Sequence, residues 1–322
     1  MGVIKKIMIR RAIIISIKGT KLTNSEKKII IKGKPWGIIL FKRNLASFRQ
    51  AKKLIDSIKN LMKDNKYPIL IDEEGGSVSR LSNFLDNKVY SQEFFGNIFK
   101  TNKNLCCNLY TNYISSMSAI FRSLGVNINT SPVLDLSKKI THKVIGSRSY
   151  SNNTNVVKKL GKLCVKTYLK NKIATVIKHI PGHGSATSDS HLNLPIVATK
   201  KETLSKYDFS CFKETNSFFA MTAHIVYSDI DSKLVSTHSK IIIKKIIRQE
   251  IKFRGILISD DISMKALKYD LVQNATMSLN AGCNLVLYCA GNIKESSKLL
   301  KKIPFIDAFT IKKTSEFYKF LS

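Results

Sequence analysis

Apolar positions along this chain come in short continuous runs rather than in strict alternation. Residues 13–19, 37–42, 68–74, 127–135, 174–184, 218–224, 255–261 and 284–290 form β-branched or otherwise apolar runs, and each ends in polar residues or glycine. Strands apolar on successive positions are buried on both faces, as parallel strands are. Between the runs lie stretches with helical spacing, among them 47–63, 153–170, 239–250 and 270–281. Strand alternating with helix over some 300 residues predicts an α/β fold, either a doubly wound sheet or a closed barrel. Eight strand candidates favour the (β/α)8 barrel. No Gly/Ser/Pro-rich linker interrupts the pattern, so residues 1–322 read as a single domain.

In such a barrel, chemistry collects at the C-terminal ends of the strands and in the loops that follow. The polar clusters of this chain fall there. Asp72, Glu73 and Glu74 end the third run and precede Gly75 and Gly76. Asp135 ends the fourth, Lys178, His179 and His183 close the fifth, His224 ends the sixth, and Asp260 with Asp261 ends the seventh.

Composition narrows the reading. Hydrophobic residues are 43% of the chain, enough for one large core, which excludes disordered and low-complexity classes. No apolar run approaches the length of a membrane span. The formal net charge of +32 raises the question of nucleic acid, but the 54 basic residues divide into 45 Lys and 9 Arg. Base and phosphate readers favour the planar fork of Arg. Scattered Lys beside heavy Ile and Asn usage matches AT-rich codons, so no nucleic-acid partner is expected. The six cysteines contain no Cys-x-x-Cys pair and read as small buried hydrophobes of a reducing compartment. The basic residues before AIIISI resemble a signal peptide, yet the apolar stretch is short and lacks a small-residue cleavage site. A first strand fits better, which predicts a cytoplasmic protein.

Three constellations carry candidate chemistry. In KHIPGHGSATSDSH, Pro181, Gly182 and Gly184 prevent a helix, so the His179/His183 spacing is not that of a helical zinc site, and no metal is expected. In the same segment Asp189 lies two positions before His191, where a carboxylate can fix the imidazole tautomer and make it a general acid/base. The bland alternative is a solvated loop histidine. In ISDDISM, alternation keeps Asp260 and Asp261 from both facing a site. One can serve as nucleophile or metal ligand, while Asp261 or Ser263 caps the next helix. In IDEEGGSVSRL, an inward Asp72 can accept two hydrogen bonds from vicinal sugar hydroxyls, or simply pair with Arg80. Arg148 and Lys178 add positive charge to the same rim.

The strings GIILFKRN, IDEEGGSVSRL, NTSPVLDL, VIGSRSY, KHIPGHG, DSH, MTAHIVY and GILISDDISM occur in this order between about residue 18 and about residue 290. Together they resemble the glycoside hydrolase family 3 β-N-acetylglucosaminidases, of the single-domain cytoplasmic bacterial type that serves peptidoglycan recycling. The resemblance implies a (β/α)8 barrel and a retaining, two-step mechanism without a cofactor. It implies Asp260 as nucleophile, His191 as acid/base and Asp189 as its orienting partner, in place of the usual second carboxylate. It also implies Asp72, Arg80, Arg148, Lys178 and His179 as the residues that hold N-acetylglucosamine. The expected partner is a muropeptide-derived disaccharide, with no membrane or nucleic acid and a monomeric state. Ser77 and Ile180 depart from the family pattern, which carries arginine and an aromatic there, so altered affinity is expected. The Lys- and Asn-rich stretch after Gly291 lies outside these strings. A phosphorylase on the same scaffold and a non-catalytic sugar- or anion-binding barrel are the alternatives; phosphate dependence and salt dependence separate them.

Overall fold

The computed structural model of the chain describes residues 9–138, 145–186 and 194–322. The barrel strands are β1 (Arg11–Ile15), β2 (Pro35–Leu40), β3 (Ile69–Ile71), β4 (Ile128–Asn129), β5 (Ala174–Ile180), β7 (Phe219–Thr222), β9 (Ile256–Asp261) and β10 (Leu285–Tyr288). All eight fall within or overlap the apolar runs. They pair in parallel and close on themselves, β10 against β1, into a (β/α)8 barrel. Two short strands, β6 (Ile196–Val197) and β8 (Val226–Tyr227), pair outside it.

Strand interiors are filled because both faces are covered: every residue of β2, β3, β5, β7 and β10 is buried. Helices shield the outer face, and most of them start on a side-chain cap. The helix Phe48–Leu61 starts on Ser47, whose side chain accepts from Gln50 N–H, and buries only Ala51, Leu54, Ile55 and Ile58. The helical stretch expected before residue 250 is a π-helix, Ile242–Glu250, with Ile242, Ile243, Ile246 and Ile247 inward. Among the described residues no helix is long and apolar enough to cross a membrane. All six cysteines are free, and four of them are buried.

The segment after Gly291 has a clear structural task. Its two helices, Ile293–Lys302 and Ala308–Phe320, pack against the barrel, and the second covers its N-terminal end. Phe317 contacts Trp36, Phe218, Phe219 and Phe320, and Thr314 accepts a 2.9 Å hydrogen bond from the Trp36 indole. These partners stand at the N-terminal ends of β2 and β7, so the helix plugs the face opposite the polar strand ends.

Candidate active site

A cavity of about 410 Å³ opens at the C-terminal ends of the strands. Its wall takes Phe41 from beyond β2, Asp72, Glu74, Ser77, Val78 and Arg80 from the loop after β3, and Arg148 from the loop after β4. Lys178 and His179 of β5, Met221 of β7, Asp260 and Asp261 of β9, and Leu287 and Cys289 complete it. Six residues expected from the sequence thus share one void: Asp72, Arg80, Arg148, Lys178, His179 and Asp260. Asp189 and His191 lie outside the described residues.

The loop after β3 owes its shape to Glu73. Its buried carboxylate accepts from the Arg80 and Leu81 backbone N–H groups at 2.8 and 3.0 Å, from Ser79 Oγ and from Asn87 Nδ2. Gly75 has φ of +80°, and a Cβ there would lie 2.2 Å from the Tyr90 carbonyl oxygen, so only glycine fits. Folding the loop over Glu73 leaves Asp72 and Glu74 on the cavity side.

Those two carboxylates face three cations. Arg80 Nη2 is 3.2 Å and Lys178 Nζ 3.3 Å from Asp72, and the Thr130 hydroxyl donates to the same carboxylate. Glu74 receives Arg148 through Nε and Nη2 at 2.8 and 2.9 Å, and Lys178 Nζ at 2.5 Å. Such a two-pronged contact fixes the guanidinium plane. Burial alone would raise both carboxyls, but Lys178 and Arg80 hold Asp72 far below the ordinary carboxylate range. Arg148 and Lys178 likewise hold Glu74 down to about 2. The expected Asp72–Arg80 ion pair is therefore present, and Lys178 joins it to Glu74. An ammonium has three donors, and those of Lys178 go to Thr130, at 3.0 Å, Asp72 and Glu74. Lys178 bridges the two carboxylates and lines the cavity beside them. The Arg80 guanidinium lies over the Phe41 ring, 5.2 Å from its centroid, which sets its height above the cavity floor.

At the end of β9 both aspartates reach the cavity wall, whereas strand alternation had assigned the site only one. Their chemical situations differ. Asp261 accepts from Ser263 N–H at 3.1 Å, Ser263 Oγ at 2.7 Å and Cys289 N–H at 3.2 Å, which commits it to the turn. Burial, with Asp260 beside it, pushes its carboxyl up. Neither Asp261 nor Ser263 caps the next helix, as the sequence suggested; that helix begins at Leu271, and Asp270 caps it through Val272 and Gln273 N–H. The turn after β9 is too long for a cap at its start. Asp260 accepts the Asp261 N–H at 2.7 Å, which aims its carboxyl. His224 steadies the same strand end, its Nε2 lying 3.0 Å from the Asp261 carbonyl and its Nδ1 2.7 Å from the Thr237 hydroxyl. Burial lowers the pKa of that histidine.

Sequence reasoning left Glu74, Asp135, Thr130 and His224 out of the site. Their signal was available for three of them, since Glu74, Asp135 and His224 stand at strand ends; Thr130 carries no sequence mark. Ser77 stands on the cavity wall, and Ile180 is buried behind it.

This combination, a carboxylate with a fixed orientation facing a neutralised cluster of acceptors and donors, suits a polyhydroxylated ligand and attack at a carbon centre. Comparison with known proteins agrees. Residues 5–310 match the glycosyl hydrolase family 3 N terminal domain. A β-hexosaminidase of Methylobacillus flagellatus is 30% identical over 282 residues, covering 86% of this chain and 80% of that protein. A β-hexosaminidase of Haemophilus influenzae is 31% identical, covering 86% and 79%. The crystal structure of NagZ from Neisseria gonorrhoeae with N-trifluoroacetyl-D-glucosamine superposes with a TM-score of 0.86 at 28% identity, covering 96% of this chain and 90% of that one. A family 3 β-N-acetylglucosaminidase from Paenibacillus gives 0.85 at 27% identity, with 98% of this chain spanning 61% of that longer protein. The chain belongs to glycosyl hydrolase family 3 and is a glycoside hydrolase.

Proposed function

We propose that this enzyme is a β-N-acetylglucosaminidase that removes terminal N-acetylglucosamine by a retaining, two-step route. The observation that carries the reading is the cavity itself, where Asp260 faces the Asp72–Arg80–Lys178–Glu74–Arg148 cluster in a family 3 barrel. The β-hexosaminidase names of its relatives, and the amino-sugar analogue bound to one of them, support this substrate class.

Asp260 attacks the anomeric carbon and forms the glycosyl-enzyme. His191, oriented by Asp189, protonates the leaving oxygen and then draws a proton from water for the second step. Ionised Asp72 accepts from sugar hydroxyls, and Arg80, Arg148 and His179 complete the grip, with Lys178 holding Asp72 in place. The ion pairs among Asp72, Glu74, Arg80, Arg148 and Lys178 are in place before the sugar arrives, with one cation in excess over the two carboxylates. No cofactor takes part. The natural substrate is N-acetylglucosaminyl-1,6-anhydro-N-acetylmuramic acid, with or without its peptide, cleaved in the cytoplasm by a monomer during peptidoglycan recycling.

The test is hydrolysis of an aryl β-N-acetylglucosaminide by the wild type and by Asp260→Ala. The wild type should release the aryl group with retention at the anomeric carbon, read by NMR. The variant should lose on the order of 10^4-fold or more in kcat, the scale expected for loss of a nucleophile. A folded wild type without turnover overturns the reading, and sugar 1-phosphate formed only with added phosphate replaces it by phosphorolysis. Turnover of the anhydro-disaccharide tests the recycling substrate.

A further inference from the structure

We infer that Asp135 is a positioning residue that fixes the ring tautomer of His179, so that Nε2 meets the sugar as a hydrogen-bond acceptor. This rests on the reading of His179 as a sugar contact. Asp135 follows β4 on a segment that runs beside β5, with Leu134 N–H donating to the Lys178 carbonyl at 2.7 Å and Lys178 N–H to the Pro132 carbonyl at 3.2 Å. That pairing places the Asp135 carboxylate, fully buried, under the turn His179–His183. Oδ1 accepts the His183 N–H at 2.6 Å, the His179 N–H reaches both oxygens at 3.2 and 3.3 Å, and Oδ2 lies 2.7 Å from His179 Nδ1.

The backbone bonds alone would make Asp135 a structural clamp. The contact to Nδ1 adds something a clamp does not need. An ionised carboxylate only accepts, so Nδ1 carries a proton, and the tautomer with its lone pair on Nε2 is the neutral form that this contact selects. Among the described residues nothing bonds Nε2; His179 lines the cavity and Asp135 does not. Burial opposes the ionised carboxylate, but the His179 and His183 backbone N–H groups bond to it, Arg148 stands near, and Asp208 is paired with Lys138 at 2.6 Å. On the cavity side His179 shares the wall with Asp72, Glu74, Arg80, Lys178, Asp260 and Asp261. His183, whose Nδ1 has no partner among the described residues, is kept neutral by burial and does not compete for the carboxylate as a cation.

Asp135→Asn reverses the arrangement. The amide oxygen keeps the backbone N–H groups, its NH2 then faces Nδ1, and the ring proton moves to Nε2. In a folded variant, kcat/KM for the aryl β-N-acetylglucosaminide should fall about 10- to 100-fold, the range seen when a partner that orients a functional histidine is lost. Placed in a His179→Ala background, Asp135→Asn should cause no further loss. An undiminished loss in that background would make Asp135 purely structural and overturn the inference. Nitrogen-15 NMR of the wild type gives a readout that needs neither variant nor turnover: Nδ1 should carry the proton and Nε2 should not. A neutral ring protonated at Nε2 sinks the inference even if the enzyme is active. An inactive wild type with the expected tautomer sinks the proposed activity instead.

Discussion

Both ends of the barrel bury charge, and they do so with different surroundings. At the N-terminal end Arg10 pairs with Asp64 while its guanidinium sits between the rings of Tyr67 and Tyr318, 4.9 and 5.5 Å from their centroids. The Tyr318 hydroxyl accepts from Arg10 and donates to Asp64, and the terminal helix closes the assembly with Phe317. At the C-terminal end Arg80, Arg148 and Lys178 meet Asp72 and Glu74, but these residues line a void of about 410 Å³. A buried pair is weak evidence of stability, because desolvation opposes attraction. What distinguishes the two ends is what completes them. Aromatic rings of the chain itself complete the first, whereas the second leaves room for a ligand.

Equivalent changes at the two ends test that difference. Glu74→Gln should have the largest effect, since it removes a buried carboxylate shared by Arg148 and Lys178: unfolding free energy should fall by about 3–5 kcal/mol and kcat/KM of the folded fraction by about 100-fold. Urea unfolding and steady-state kinetics read the two losses separately. Asp64→Asn at the closed end should lower stability by about 3 kcal/mol and leave kcat/KM of the folded enzyme unchanged. If Asp64→Asn also impairs turnover, the two ends are coupled and the division fails.

Acid should act first through histidines. Burial lowers His183 and His238 from the ordinary 6.5 to about 4, so the folded state holds them neutral. Their stabilising contribution is present in full above pH 6.5 and is lost as pH falls from 6.5 towards 4, by up to about 1.4 kcal/mol per unit for each. Glu74, lowered from 4.5 to about 2, contributes above pH 4.5 and loses its contribution between 4.5 and 2. Thermal melts at stepped pH should therefore decline before Glu74 protonates, and a flat profile from pH 7 to 5 would contradict this. The smallest effect belongs to the outer helices: Lys52→Ala, which breaks a half-exposed pair with Asp56, should shift stability by less than about 0.5 kcal/mol.

The barrel was legible because burial on both faces leaves a continuous apolar run, and eight such runs with intervening helical periods admit few architectures. The site's location followed, since strand ends and loops must hold the polar residues a packed barrel interior excludes. The family strings then assigned roles to Asp260, His191, Asp189 and the sugar contacts. Less legible was the turn after β9, where alternation separated Asp260 from Asp261, yet both reach the wall because the strand gives way to the turn.

By itself, then, the sequence determined the order of strands and helices, the end of the barrel where polar groups gather around a cavity, and the identity of most of those groups. Only the tertiary structure decided which groups pair. Lys178 finds Asp72 across 106 residues, Arg148 finds Glu74 across 74, and His179 finds Asp135 across 44. The closing helix likewise found Trp36 only in space. Periodicity is a local property of the chain, while a hydrogen bond needs two atoms within about 3 Å. That distance is set by how neighbouring strands pair, and no run of consecutive residues records it.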